Sequence, residues 1–362
     1  MSIKVNLFPK FIKQASLIFQ TFNMQHEITQ AGPLLNEDGS LAQKGWARDL
    51  LLQYDRNAIK AYGLRIKEWD YYCILQEDFG IALTVADNSY LSLIAVNVFD
   101  FIHNTETTDM VLLPLTMGKL NMPSHSACGD TVVQHKKVQM SFRHMDGKRQ
   151  LDLDFPSFNN RKGIKGSISL TPLNKDSMVI ATPWKEDPLA FYYNQKINCL
   201  AAAGSFTVGN ETHVFKPEKA LGVLDWGRGV WTYRNRWYWG SASGYVDGQP
   251  FGFNIGYGFG DTSAATENML LYNGVAHKLD EVKFIIHTND YMQPWKFTSN
   301  DGRFELDFEP AIDRYSNTNL LLLQSKQHQV FGYFSGKVIL DDGTVLAIDR
   351  LLGFAEDVLN RW

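Results

Sequence analysis

The stretch GVLDWGRGVWTYRNRWYWGSASGYVDGQPFGFNIGYGFGDTSAATEN, from Gly222 to Asn268, decides the fold. It holds four of the nine tryptophans, Trp226, Trp231, Trp237 and Trp239, followed by a run with glycine at nearly every second position. Successive side chains of a strand point to opposite faces. A strand here therefore puts Phe253, Ile255, Tyr257 and Phe259 on one face, and Gly252, Asn254, Gly256, Gly258 and Gly260 on the other. The strand before it alternates too, with Trp237, Trp239, Ser241 and Ser243 against Tyr238, Gly240, Ala242 and Gly244. Glycine inside a strand costs ~0.5–1 kcal/mol against alanine, so the bare face needs a reason. Either a backbone or an aromatic ring packs directly on it, or a ligand does, or the strand turns the corner of a barrel.

Outward from this stretch the chain alternates with period two and is punctuated by turns such as Val246-Asp247-Gly248, Asn300-Asp301-Gly302 and Asp341-Asp342-Gly343. The fold class is all-β, and helical spacing is confined to Glu356–Trp362 and Leu41–Leu52. Three pieces recur in order: Phe79-Gly80 at Phe251-Gly252, Asp146-Gly147 at Asp301-Gly302, and Gly204-Ser205 at Gly336-Lys337. Their order implies a duplicated antiparallel β-domain, each copy a barrel because closure removes exposed edges. The expected boundary is the polar Phe215-Lys216-Pro217-Glu218-Lys219, which gives a lead-in over 1–25, a first unit over 26–214 and a second over 215–362.

Length agrees, since 362 residues exceed the ~250–300 at which single cores stop growing. Thirty-five basic against 39 acidic residues, with no basic run, argue against nucleic acid as a partner. Cys73, Cys128 and Cys199 form no CxxC pair and are odd in number, which fits a reducing, cytoplasmic setting. Residues 1–24 mix lysines with apolar residues around Pro9, too interrupted for a signal peptide or a span. They read as an amphipathic lead-in, with contact to a membrane surface as the alternative.

The run Leu224-Asp225-Trp226-Gly227-Arg228-Gly229-Val230-Trp231, the strand Arg236-Trp237-Tyr238-Trp239, and Gly256 to Asn268 resemble the domain-of-unknown-function family numbered 2804. Gly45-Trp46-Ala47-Arg48 and Lys67-Glu68-Trp69-Asp70-Tyr71-Tyr72 carry the same likeness, which covers residues 26 to 362. More remotely the chain is similar to two-domain lipocalin-like (calycin-type) proteins that include carotenoid hydratases, tocopherol cyclases and some pericyclase-type enzymes. That resemblance implies two tandem lipocalin-like antiparallel β-barrels with few short helices, and an apolar ligand within or between them. It is a likeness of fold and does not choose a chemistry.

No nucleotide loop, P-loop, HExxH or GxSxG elbow is present, so no cofactor is expected, and nine scattered histidines without paired spacing suggest no metal site. Asp225, among indoles and glycines, is a candidate proton donor, with Arg228 as its electrostatic partner; the alternative is a structural ion pair at the domain junction. Glu267 is the second acid candidate. Trp226, Trp231, Trp237, Trp239, Asn254 and Tyr257 are expected to line a pocket, with Asp261 and Asn268 at its mouth and Arg234 either stacking on indoles or meeting an anionic group. Trp69, Asp70, Asp87 and Tyr90 are sparser counterparts, which places the expected site on the second unit. The function expected is binding of a lipid or isoprenoid, with acid-catalysed hydration, cyclisation or isomerisation. The opposing expectations are a non-catalytic lipid carrier, or a carbohydrate-binding or carbohydrate-active protein whose indoles stand exposed along an open groove.

Overall fold

The structure is a computed structural model and describes residues 25–320 and 323–361. Three short strands open it: β1 (Gly32–Pro33), β2 (Gly45–Ala47) and β3 (Leu52–Gln53). A meander follows, β4 (Ile66–Leu75), β5 (Phe79–Asp87), β6 (Leu91–Asp100) and β7 (Thr105–Pro114), then β8 (Thr131–His135), β9 (Val138–Met145), β10 (Lys148–Phe155) and β11 (Ile164–Pro172). Next come β12 (Met178–Pro183), the long β13 (Phe191–Val208), β14 (Glu211–Phe215) and β15 (Leu221–Val230). The remaining strands are β16 (Arg234–Val246), β17 (Gln249–Tyr257), β18 (Met269–Tyr272), β19 (Val275–Lys278), β20 (Val282–Ile285), β21 (Trp295–Ser299), β22 (Phe304–Leu320), β23 (Leu323–Ile339) and β24 (Val345–Arg361). Among the described residues helix is limited to single turns.

The strands form two large antiparallel sheets. The first runs β7-β6-β5-β4-β15-β13-β11-β10-β9-β8, and the second β19-β18-β17-β16-β24-β23-β22-β21-β20. Both are curled half-barrels whose hydrogen-bonded path does not return on itself, where closed barrels were expected. Curling of the first brings β7 against the turn after β10, where the Asn159 amide donates to Asp109 Oδ2 at 2.6 Å. Each sheet wraps its own core, with Ile74, Leu83, Val96, Leu170 and Leu200 in one and Phe253, Phe297, Phe304 and Phe334 in the other. The fold is two tandem lipocalin-like units.

In both sheets a four-strand meander is followed around the curl, and the last strand (β15 or β24) inserts beside the meander's first strand (β4 or β16) and pairs with a long strand (β13 or β23). Phe79 and Phe251 lie in the equivalent strands β5 and β17. Gly204 and Gly336, with φ of 124° and 144°, lie in the equivalent β13 and β23. The Asp146 and Asp301 turns are one strand out of step, joining β9 to β10 and β21 to β22.

Three sequence expectations are corrected. Glu356–Arg361 belongs to β24, because both faces of this central strand are covered and the polar–apolar alternation that marks a half-exposed strand is lost. Leu41–Leu52 holds no helix; its centre is β2, paired with β12. The turn around Pro217 lies inside the first sheet, since β15 after it pairs with β13 and β4, and the chain passes between sheets at Val230–Arg234. The lead-in expected over residues 1–24 lies outside the described residues.

Candidate functional site

One cavity of about 440 Å³ lies between the two sheets. Strand parity decides which side chains reach it. On β15, Val223, Asp225, Gly227 and Gly229 share the face toward the second sheet, while Leu224, Trp226 and Arg228 face the first core. Asp225 therefore lines the cavity, and Trp226 and Arg228 do not. Arg228 is fully buried on the other side, bonded to Asp70 Oδ1 at 3.1 Å, to the Trp69 carbonyl at 2.7 Å and to the Pro123 carbonyl at 2.8 Å, with its guanidinium over the Trp226 ring. The expected Asp225–Arg228 partnership is corrected: three positions apart on one strand, they point to opposite faces.

The partner of Asp225 is Lys196 on β13, directly across in register, with Nζ to Oδ2 at 2.9 Å. Asn194 adds a bond to Asp225 Oδ1 at 2.6 Å, and the Lys196 ammonium sits 3.9 Å from the Trp239 ring centroid. Both partners of the ion pair are almost wholly buried, so neither can lose the other cheaply.

The glycines of β15 make room for the aromatic wall. A Cβ at Gly227 would lie 1.9 Å from Trp69, whose ring crosses that strand and stacks on Tyr192 at 6.1 Å between centroids. Trp231 meets Trp69 edge-on at 5.2 Å and Phe259 at 4.8 Å. On the second sheet Trp237 and Trp239 share the cavity face of β16, as their alternation requires. Trp231 and Trp239 are buried and Trp237 is half-buried. The indoles do not form the exposed platform that carbohydrate recognition calls for.

The bare face of β17 is filled by protein. Gly252 packs on Asn198 and Cys199 of β13, and Gly256 lies under the Glu267 carboxylate, 2.6 Å from where its own Cβ would be. Glu267 lines the cavity, and burial raises its pKa, with the charge of Asp225 acting the same way and Lys196 opposing. Asn254 stands behind it, taking the Trp239 indole N–H at 2.6 Å and donating to the Glu267 carbonyl.

A further cavity acid, Glu356 on β24, is absent from the residues expected from sequence because its segment read as helix. Trp237 Nε1 donates to its Oε1 at 2.9 Å and Gln327 to its Oε2 at 3.3 Å. Burial pushes its pKa up to about 7, against the opposing pull of the Trp237 bond. Lys196 and Gln329 were missed as well, each on a strand buried on both sides where polar residues carry no periodic signal.

Other expected site residues lie elsewhere. Arg234 is exposed and does not reach the cavity, and Tyr257 stacks on Tyr238 at 4.7 Å beside the second core. Asp261 holds a turn through the Ser263 amide and meets Lys185 at 3.5 Å, while Asn268 accepts the Gly256 amide and donates to the Asp280 carbonyl. In the first unit Asp70 serves Arg228 and Asp87 ties down the β5–β6 and β7 turns, but Trp69 and Tyr90 line the cavity. The site is shared by both sheets and does not lean on the second.

A family model described as a domain of unknown function, DUF2804, matches residues 25–362. The chain belongs to this family. No curated protein matches it by sequence. Among solved structures, this DUF2804 protein is similar to a putative AttH from Nitrosomonas europaea, at 11% identity and a TM-score of 0.53, over 90% of this chain and 98% of that one. It is also similar to CghA crystallised with Sch210972, at 12% identity and a TM-score of 0.55, over 92% of this chain and 97% of the other. At such identities the likeness is one of fold.

Proposed function

We propose that the protein binds an apolar small molecule, such as a lipid or isoprenoid, in the inter-sheet cavity and converts it by acid–base chemistry of the hydratase, cyclase or isomerase type. The observation that carries this reading is a buried carboxyl with a pKa of about 7, Glu356, at the inner end of a cavity walled by indoles. An acid with that pKa is protonated in part at neutral pH and is matched to general acid catalysis.

Glu356 would give its proton to an alkene carbon of the ligand, leaving a cationic centre on the neighbouring carbon. The face of Trp237 would stabilise that centre, since the Trp239 ring already carries the Lys196 ammonium. It is then quenched by water, by a hydroxyl of the ligand itself, or by loss of a proton from the adjacent carbon. In each route one proton is released, and the Glu356 carboxylate or Asp225 takes it up. Glu267, when ionised, would add to the negative potential that favours a cationic centre. Lys196 positions Asp225 and balances the negative charge collected there.

The test begins with mass spectrometry of an organic extract of the purified protein, which names the bound molecule. Against that molecule, Glu356→Gln should bind within a few-fold of the parent while turnover falls ~10²–10⁴-fold. A Glu356→Gln protein that binds and turns over normally removes Glu356 as the acid. If the parent binds the molecule and returns it unchanged, the carrier reading replaces the enzyme.

A further inference from the structure

The walls of the cavity differ in chemistry. On the second sheet, register places cavity-facing residues in three cross-strand rows: Arg314–Gln329–Glu356, Ser316–Gln327–Val358 and Thr318–Ser325–Asn360. Eight of these nine positions can hydrogen-bond. Rows two residues apart on strands rising ~3.4 Å per residue span about 14 Å, and three strands at ~4.8 Å spacing make a polar surface about 10 Å wide. The innermost row is closed on itself, Arg314 donating to Gln329 at 3.0 Å and Gln329 to the Tyr71 hydroxyl at 3.2 Å. Farther out, Asn360 is 1% exposed and its Oδ1 meets no protein donor among the described residues. A buried acceptor in that condition is unfavourable unless a ligand or water completes it.

The facing wall, from the first sheet, is mostly hydrocarbon where β5, β6 and the outer half of β7 form it; Glu106 and Thr108 of β7 lie at its edge, the Thr108 hydroxyl donating to Glu106 at 2.6 Å. Its rows are Ala86–Leu93–Leu112 and Thr84–Ala95–Met110. Met110 is 49% and Leu112 51% exposed, so large apolar side chains are left open at the rim. A simple alkyl chain would cover that wall but leave the outer groups opposite, Ser316, Thr318, Ser325 and the Asn360 side-chain carbonyl, without a ligand partner. A sugar would do the reverse.

Building on the ligand-binding reading above, we infer that the ligand is facially amphipathic: a broad, semi-rigid body with one hydrocarbon face laid on β5–β7 and oxygen functions along its other face laid on β22–β24. Its reacting end then lies between Glu356 and Asp225. The bifacial cleft selects such a molecule over a linear acyl chain or a uniformly apolar polycycle, because only it satisfies both walls at once.

The test uses two neutral bile alcohols with one skeleton, a tetrol carrying three ring hydroxyls on one face and a diol lacking two of them, titrated calorimetrically into the full-length protein. Both are uncharged, so the acidic inner end repels neither. The tetrol should bind about tenfold tighter or more, since two extra hydrogen bonds formed in a dry site are worth that much. Replacing outer-row hydroxyls, as in Thr318→Val with Ser325→Ala, should reduce the preference toward unity with little change for the diol. These positions are outside the core, and the comparison of probes on the unaltered protein stands even if the variant folds poorly. Equal binding, or a preference for the diol, overturns the bifacial ligand while leaving an apolar-ligand cavity in place. Binding of neither probe overturns the cavity reading and this inference together.

Discussion

Glu356 is an acid whose surroundings oppose its ionisation, and that has a measurable signature in stability. Between its ordinary value of 4.5 and about 7 the native state retains a proton that the unfolded chain has released. Over that interval the native state binds more protons, so stability falls as pH rises. The contribution is fully present below about 4.5 and lost by the time pH passes 7, a difference of about 3 kcal/mol. Glu356→Gln cannot ionise, so this share of the decline should vanish. Urea unfolding of parent and variant at pH 5 and pH 8 measures it: the variant's advantage should be larger at pH 8. Equal differences at the two pH values would mean that Glu356 titrates normally. The same group should set the alkaline limb of any activity, with turnover falling as pH rises through about 7 and the acid form is depleted. Asp225, by contrast, was legible as an acid from its neighbours, but its partner was not. Arg228 is closer in sequence, and only the pairing of β13 with β15 brings Lys196 across from it.

Legibility at the scale of elements follows exposure. The hairpin of β16 and β17 could be read down to its faces, because aromatic and glycine residues alternate there with nothing to blur them. β24 could not, because Phe354, Glu356, Val358 and Asn360 face the other sheet while Ala355 faces its own core, and the mixture imitates a helix. The boundary near Pro217 was misplaced for a related reason. Along β13, β14 pairs with the far end and β15 with the near end, and the Pro217 turn joins these two, where the second sheet uses the single long β24. The glycine in β15 does for the cavity what those in β17 do for the junction: it lets a bulky group lie flat on a sheet. Gly227→Ala should therefore drive Trp69 off β15, since the added methyl would overlap its ring, and overpacking of this kind costs ~1–3 kcal/mol. The displaced indole would enter the cavity, so ligand affinity should fall along with the denaturation midpoint. Retained stability and affinity in this variant would show that Trp69 has another rotamer available at no cost.

For the molecule as a whole, the question is whether the two sheets behave as one body, because the cavity exists only between them. Two buried clusters draw on both. One joins Tyr71, Cys73 and Phe99 to Trp239, Phe331 and Phe354; the other joins Trp46, Ile180 and Tyr192 to Phe259, Met269 and Leu271. Asn198 of β13 adds a polar clasp, donating to Ser241 Oγ at 2.9 Å and to the Phe253 carbonyl at 3.1 Å. An interface this apolar couples its halves, whereas weakly joined domains move independently. Unfolding followed by tryptophan fluorescence and by far-ultraviolet circular dichroism should therefore coincide in the native protein. Gly252 is the place to break that coupling without touching a cavity residue. A side chain there would meet Cys199 Sγ at 2.9 Å and Asn198 Cβ at 3.0 Å, groups fixed in the opposing sheet. The added Cβ would also meet the Ala242 carbonyl of β16 at 3.1 Å, a looser contact than those across the junction. Gly252→Val should therefore strain the hairpin of β16 and β17 less than it wedges the sheets apart. The expected outcome is an earlier fluorescence transition, as the indoles at the junction are wetted, followed by a separate loss of strand signal, together with weaker ligand binding. A variant that melts in one step at the parent's temperature would show that the junction yields to the extra methyls, and that the close approach at Gly252 does not hold the cavity in shape.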